Sequence, residues 1–231
     1  MTRKLYAIGD IHGHYEELTN LMGQLHDDGL KIGRDELVFI GDYVDGGPDS
    51  KKVVDFIKSM HDNYERVVCI KGNHEDMLVR AIRTPRSMTA TFDHWFNSGG
   101  RFTYLSYREG LPEGTLPWEA IPTEHVDWMD SLPLMHETDR YYFVHAGFSP
   151  FRTAYSSDPY DMLWIRGEFI NTPHDYGKRV IFGHTAFRNP WVDPFKIGID
   201  TMFHNTGKLT AVELSGPEPR FFFSPSVTDP R

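Results

Sequence analysis

Five short segments of this sequence carry oxygen and nitrogen side chains that could hold a cation. They are Gly9-Asp10-Ile11-His12-Gly13, Gly41-Asp42-Tyr43-Val44-Asp45-Gly46-Gly47, Gly72-Asn73-His74-Glu75, Val144-His145-Ala146-Gly147 and Gly183-His184-Thr185. Taken singly, each has an ordinary explanation. Asp10 could cap a following helix, Asp45 could close a turn, and Asn73 could lead into a helix. A histidine after a strand is usually packed or hydrogen-bonded. A calcium loop fails for the second segment, because the alternating oxygen ligands of an EF-hand break at Val44 and Gly46. Convergence changes the reading. Asp10 and His12 are two residues apart at the end of an apolar run, where side chains two apart can share a side. Asp42 and Asn73 follow the next two runs, and His145 and His184 follow two later ones. Such a set supplies oxygen and nitrogen but no thiolate, which suits a pair of Mn, Fe or Zn ions better than a structural zinc. His26, His61, His94, His136 and His174 lack such settings.

Those residues need a frame that brings strand ends together. Leu5-Tyr6-Ala7-Ile8, Leu37-Val38-Phe39-Ile40 and Val67-Val68-Cys69-Ile70 read as buried strands. Between them, Leu18, Leu21, Met22 and Leu25 recur at helical spacing, as do Val53, Val54, Phe56, Ile57 and Met60, with Asp49 or Ser50 as N-cap. This β-loop-α rhythm implies an α/β fold with a largely parallel sheet, whose ligands bind beyond the carboxyl ends of the strands. Residues 84 to 132 carry Trp95, Trp118 and Trp128, several prolines and little strand character. They read as a helical and loop cap inserted in a single domain spanning 1–231. The last third is β-rich, with 141–144, 179–182, 195–199, 209–212 and 221–223 as strands. Asn205-Thr206-Gly207 is a turn between two of them, so a partly antiparallel second sheet is expected. The tail from Ser224 is expected on the surface.

Composition narrows the classes. The chain has 231 residues, with 24 Lys and Arg against 33 Asp and Glu, for a formal charge of −9. That balance argues against a nucleic-acid partner, which needs an excess of cations to displace phosphate counterions. A single cysteine, Cys69, excludes an intrachain disulfide framework and a Cys-based zinc site. No apolar run approaches the ~20 residues that span a bilayer, and the N-terminus has no signal-peptide pattern, so no membrane partner and a cytoplasmic location are expected.

In order along the chain, GDIHG, GDYVDGG, GNHE, HAG and GHT resemble the metallophosphoesterase signature. More narrowly, they resemble the phosphoprotein phosphatase family of Ser/Thr phosphatases, especially its bacterial and phage members. The resemblance runs from the Gly9 motif to Asp200-Thr201 and is weak in the cap. It implies a central β-sandwich flanked by helices. It further implies one metal on Asp10, His12 and Asp42 and a second on Asp42, Asn73, His145 and His184, with manganese favoured over iron or zinc. His74 would be the general acid, oriented by Asp45, and Arg166 would clamp the phosphate. The implied reaction is hydrolysis of a phosphomonoester, in a phosphoprotein or nucleotide, by direct attack of a metal-bridging hydroxide. Rival readings are a symmetrical dinucleoside tetraphosphate hydrolase, and a non-catalytic module of the same fold. Two positions depart from the family: Gly46 and Lys71 stand where arginine is usual. Arg101 and Arg188 are the candidate replacements, and an arginine installed at 46 is expected to tighten monoester binding if the loop accepts a Cβ.

Overall fold

The computed structural model describes residues 3–85, 89–201 and 207–224. Within them run the strands β1 (Leu5–Ile8), β2 (Glu36–Phe39), β3 (Val67–Cys69), β4 (Met135–Glu137), β5 (Tyr141–Val144), β6 (Arg179–Phe182), β7 (Trp191–Val192), β8 (Lys196–Gly198), β9 (Thr210–Glu213) and β10 (Arg220–Phe223). They form two five-stranded sheets, in the orders β10-β9-β1-β2-β3 and β4-β5-β6-β8-β7. The helices are α1 (Tyr15–Asp27), α2 (Ser50–Asn63), α3 (Asn73–Arg83), α4 (Thr89–Trp95), α5 (Arg101–Arg108), α6 (Pro117–Ala120), α7 (Thr123–Ser131), α8 (Pro159–Trp164) and α9 (Gly167–Asn171).

The layering follows from residue alternation, since successive side chains of a strand face opposite ways. In β1 and β2, Tyr6, Ile8, Leu37 and Phe39 join one buried cluster with Leu18 and Leu21 of α1 and Val53 and Ile57 of α2. Ala7 and Val38 face the other way, into a cluster with Phe143, Ile181 and Ile197 of the second sheet. That sheet turns Tyr142, Val144, Val180 and Phe182 outward, against Met162 and Ile165 of the α8 segment and Phe169 of α9. Both sheets are thus buried on both faces, which is why their strands read as continuous apolar runs. The layers are helix, sheet, sheet, helix. Trp95, Tyr107, Trp128 and Met129, from the region expected to cap the sheet, share the first cluster.

The last third departs from expectation. β5, β6 and β8 run parallel, and only the short edge strands β4 and β7, absent from the sequence reading, pair antiparallel to them. β9 and β10 leave that sheet and extend the first one, antiparallel to β1 and to each other. Apolar runs buried on both faces carry no mark of the sheet they join, so this division is a tertiary outcome. β8 and β9 therefore lie in different sheets and do not form a hairpin. Asn205 and Thr206, expected in a turn there, lie outside the described residues. Ser224 is buried, its Oγ accepting from the Leu209 N–H at 2.9 Å, contrary to a surface tail. The rest of that tail also lies outside the described residues. Asp49 precedes α2 as expected, but its carboxylate pairs with Lys52 at 2.6 Å instead of capping the helix.

One carboxylate ties the ends of this frame together. Asp28, which ends α1, accepts from Lys4 Nζ at 2.9 Å, Tyr6 Oη at 2.8 Å and Arg220 Nη2 at 2.8 Å. Burial alone would raise its pKa, but the bonds from Arg220, Lys4 and Tyr6 outweigh it and hold the group at about 2. A carboxyl depressed in the folded state stabilises above its unfolded pKa of ~3.9 and loses that contribution as pH falls toward 2. Asp28→Asn is expected to cost about 1–2 kcal/mol at pH 7, allowing for the partial exposure of its cationic partners. In denaturant titrations at a series of pH values, the gap to the parent should close between pH 4 and about 2. A gap independent of pH would assign the loss to packing.

Candidate metal centre

The carboxyl ends of β1, β2, β3, β5 and β6 meet at one end of the two sheets, and each is followed by a residue singled out above. Backbone bonds between neighbouring strand ends carry each sheet's pairing into this rim. Gly183 N–H donates to His145 O at 2.7 Å, and Gly9 N–H donates to Thr210 O at 3.0 Å. Among the described residues, the non-glycine residues with left-handed backbone are His12, Asp42, Asp45 and His184, at φ 47, 53, 70 and 62°. Such conformations cost of order 1 kcal/mol each for an L residue and persist only where the surroundings impose them. The chain thus turns at His12 through a left-handed kink after β1, not by continued strand alternation.

Glu75, given no role by the sequence, shapes the second loop. Its buried carboxylate accepts from the N–H groups of Asp42 (2.8 Å), Tyr43 (2.8 Å) and Gly72 (2.9 Å). Burial and the adjacent Asp42 charge push its pKa up to about 7. Gly72 has a steric reason to be glycine, because a Cβ there would sit 2.2 Å from Asp42 Oδ1.

Asp42 is the hub. Its Oδ1 lies 3.3 Å from His145 Nε2, and its Oδ2 lies 3.5 Å from His12 Nε2 and 4.0 Å from His74 Nε2. Potential ligand atoms of His12, Asp42 and His74 fall within 4.8 Å of one another, as do those of Asp42, His145 and His184. His74 thus stands in the first group, where the sequence placed Asp10. Asn73 joins the second, its Oδ1 2.8 Å from His145 Nε2. Burial opposes charge on His145, but Asp42 raises its pKa. Burial, reinforced by His145, pushes His184 down to about 3.

The donor set fits divalent cations. His145 Nδ1 bonds the Ile40 carbonyl at 2.9 Å, which turns Nε2 toward Asn73 Oδ1 and Asp42 Oδ1, both acceptors. His12 likewise uses Nδ1 on Val44 O at 3.1 Å, and His184 uses Nε2 on Trp164 O at 3.2 Å. A carbonyl bond fixing one ring nitrogen and freeing the other is the usual support of a metal-binding imidazole. Asp10 adds an acceptor without a partner. Its Oδ2 accepts from His184 N–H at 2.9 Å, while its buried Oδ1 has no hydrogen-bond partner. Burial, Asp200 and Asp42 raise its pKa well above the carboxylate range, the mark of crowded negative charge.

Beside this cluster sits a dyad. His74 Nδ1 lies 2.8 Å from Asp45 Oδ2. Burial opposes protonation of His74, but Asp42 and Asp45 prevail and raise its pKa to about 9. The far side of Asp45 is held by two residues that the sequence reading gave no role. Thr103 Oγ1 donates to Asp45 Oδ1 at 2.7 Å, Trp95 Nε1 donates to the same oxygen at 3.2 Å, and the Asp45 N–H donates back to Thr103 Oγ1 at 2.9 Å. No local pattern signals contacts across 50 and 58 residues. Arg166 reaches the rim through its Nη1 on His184 O at 2.7 Å.

Lys71 Nζ is spent on Asp130, on O at 2.8 Å and Oδ1 at 3.2 Å, and Arg101 lies over the Phe102 ring at 4.7 Å. Arg188 is exposed. Gly46 has φ 94° and donates its N–H to Gly99 O at 3.4 Å. A Cβ would find room there, its nearest neighbour being His12 Cβ at 3.7 Å, but the backbone disfavours any L residue. An arginine at 46 would therefore be strained, and the expected gain in monoester binding does not follow.

Two stacked mixed sheets between helices, with carboxylates and imidazoles converging at the strand ends, are the architecture of a metallophosphoesterase. Residues 3–204 match the calcineurin-like phosphoesterase family, and the chain belongs to it. It is 27% identical over 227 residues to serine/threonine-protein phosphatase 2 of Escherichia coli, covering 92% of this chain and 93% of that one. It is 30% identical over 151 residues to the symmetrical bis(5'-nucleosyl)-tetraphosphatase of Aromatoleum aromaticum, covering 65% of this chain but only 46% of that enzyme. The chain thus spans about half of that relative's length. The fold is shared with a metallophosphoesterase from Sphaerobacter thermophilus, at a TM-score of 0.57 and 14% identity, over 96% of this chain and 89% of the other. Among the described residues, no helix is long and apolar enough to cross a membrane.

Proposed function

We propose that this chain hydrolyses phosphomonoesters at a two-cation centre, in the manner of a Ser/Thr protein phosphatase and without a phospho-enzyme. The observation that carries this reading is the place of Asp42 in both ligand groups, where one carboxylate could serve two ions. In the proposed centre Asp10, His12 and Asp42 would hold one ion, and Asp42, Asn73, His145 and His184 would hold the other. Divalent ions bound there would supply an activated water and neutralise the phosphoryl oxygens. His74 spends its Nδ1 proton on Asp45, so its Nε2 proton is the one available to a leaving oxygen. Arg166, anchored on the His184 carbonyl, presents its remaining donors to a phosphoryl group at the rim. The intact His74–Asp45 pair speaks against a non-catalytic module, which has no need of an oriented acid.

Manganese is the ion proposed, since every donor is a hard or borderline oxygen or nitrogen. Chelation is expected to abolish hydrolysis of glycerol phosphate, and Mn²⁺ to restore it; full activity in protein shown to be metal-free would refute the reading. The near full-length alignment with the E. coli phosphatase supports the protein-phosphatase form. A second reading, cleavage of a dinucleoside tetraphosphate, uses the same groups, and a cavity beside the centre favours it. Comparing turnover of a phosphopeptide and of diadenosine tetraphosphate separates the two.

The Thr103 and Trp95 bonds give the cap region a part in this chemistry, by fixing the carboxylate that orients the acid. Thr103→Val is expected to lower kcat about tenfold on an alkyl phosphate, equivalent to roughly one hydrogen bond to a charged group. It should change kcat little for nitrophenyl phosphate, whose leaving group needs no proton, and Thr103→Ser should restore the rate. Equal losses on both substrates would mean that Thr103 serves folding alone.

A further inference from the structure

Next to the metal centre, between α3, α4 and α8, lies a cavity of about 700 Å³. Pockets of this size suit a small organic ligand. It shares α3 with the centre, since that helix begins at Asn73. Asp76, Met77 and Arg80 line it and share a helix face with Asn73, being three, four and seven residues farther on. At 1.5 Å per residue, Met77 and Arg80 lie about 6 and about 10 Å beyond Asn73 along the axis. The opposite wall is Trp164 and Tyr160, stacked at 6.3 Å with 21° between planes. Trp164 also meets the His184 ring edge to face at 5.9 Å, so the aromatic wall begins at a proposed ligand. Leu132 and Leu163 add apolar surface, and Tyr160 is 68% exposed.

Lys71 and Arg80 of the cavity lining are already paired with carboxylates. Lys71 is bonded to Asp130, Arg80 to Asp76 at 2.8 Å, and Asp158 accepts the Tyr160 N–H at 2.8 Å. Among the described residues that line it, no cluster of free arginines awaits a second phosphate or an acidic peptide, the usual means of recognising either. What the cavity offers is an aromatic face, apolar surface and a few polar edges, which suits a neutral planar group able to form hydrogen bonds. We propose that this cavity binds the nucleoside base of a nucleotide whose phosphoryl group lies at Asp42, with Tyr160 and Trp164 as its stacking platform. The proposal rests on the phosphoesterase reading and names the organic part of the substrate.

The test starts with adenosine, which carries no phosphate. In calorimetric titration it is expected to bind the Mn²⁺-loaded protein and, in kinetics, to compete with glycerol phosphate. Stacking on an aromatic residue is worth enough that Tyr160→Ala should weaken adenosine about tenfold. The same variant should raise KM for adenosine 5'-monophosphate by a similar factor relative to KM for glycerol phosphate. Ala90→Trp, which fills the cavity from an exposed position on α4, should do likewise. The proposal is overturned if adenosine does not bind, or if both variants leave the KM ratio unchanged. A Tyr160→Ala defect confined to a phosphopeptide would also overturn it, giving the cavity to a peptide side chain. Failure of the phosphoesterase reading would show separately, as absence of metal-dependent glycerol phosphate hydrolysis.

Discussion

His74→Asn is expected to lose roughly 10²–10⁴ in kcat on glycerol phosphate and far less on nitrophenyl phosphate. An alkoxide is too basic to depart without a proton, whereas nitrophenolate is stable in water. The structure gives His74 what an acid requires. Asp45 fixes its tautomer at 2.8 Å, and neighbouring carboxylates keep it protonated, with a pKa raised to about 9 despite burial. Yet His74 also falls within ligand distance of His12 and Asp42. Two measurements separate an acid from a ligand. If it is an acid, metal content stays near that of the parent, and the loss grows with the pKa of the leaving group. If metal is lost and both substrates suffer equally, His74 is holding a cation.

Asp42→Asn should have the opposite signature. Asparagine keeps the size of the side chain but removes the charge shared by the two proposed sites. Burial favours the neutral acid, yet His145, His74 and His12 hold Asp42 ionised well below the ordinary range. Removing that anion leaves the imidazoles facing one another with nothing to bridge them. Affinity for Mn²⁺ is expected to fall by at least about 100-fold, the upper range seen when even a supporting residue of a metal site is lost. Activity should fall on every substrate, whatever its leaving group. Because a ligand that binds only the folded state raises its stability, Mn²⁺ should raise the Tm of the parent but not of the variant. A variant that binds both ions as tightly as the parent would remove Asp42 from the bridge.

The parts that were legible in the sequence were local ones. Apolar runs such as Leu5 to Ile8 and Tyr141 to Val144 announce strands, and a glycine followed by Asp or Asn marks where three of them stop. Those signals were enough to gather the six proposed ligands at one rim. Direction and partnership were not legible. β9 looks like any buried strand, and only packing sends it to β1 instead of β8. Lys71 sits beside the centre in sequence, but its ammonium turns to the end of α7. Thr103 and Trp95 find Asp45 across more than two helices, and the left-handed backbone of His12, Asp42, Asp45 and His184 breaks the local preference of those residue types. These are the positions where the global fold overrides the local one, and they cluster at the centre.

The way the sheets share this cluster also bears on how the chain matures. Asp42 belongs to the first sheet, and His145 and His184 follow strands of the second, more than 100 residues later. Contacts this distant in sequence form late, since a long loop must close before they contribute. A nascent chain that has not reached residue 145 carries Asp10, His12, Asp42 and Asn73 as an open half-site. The bridge can acquire its second half only when the two sheets dock. Uptake of the second cation should therefore follow docking during refolding, and stopped-flow refolding with a metal-sensitive dye should show a lag in that phase that shortens with conditions favouring collapse, not with cation concentration.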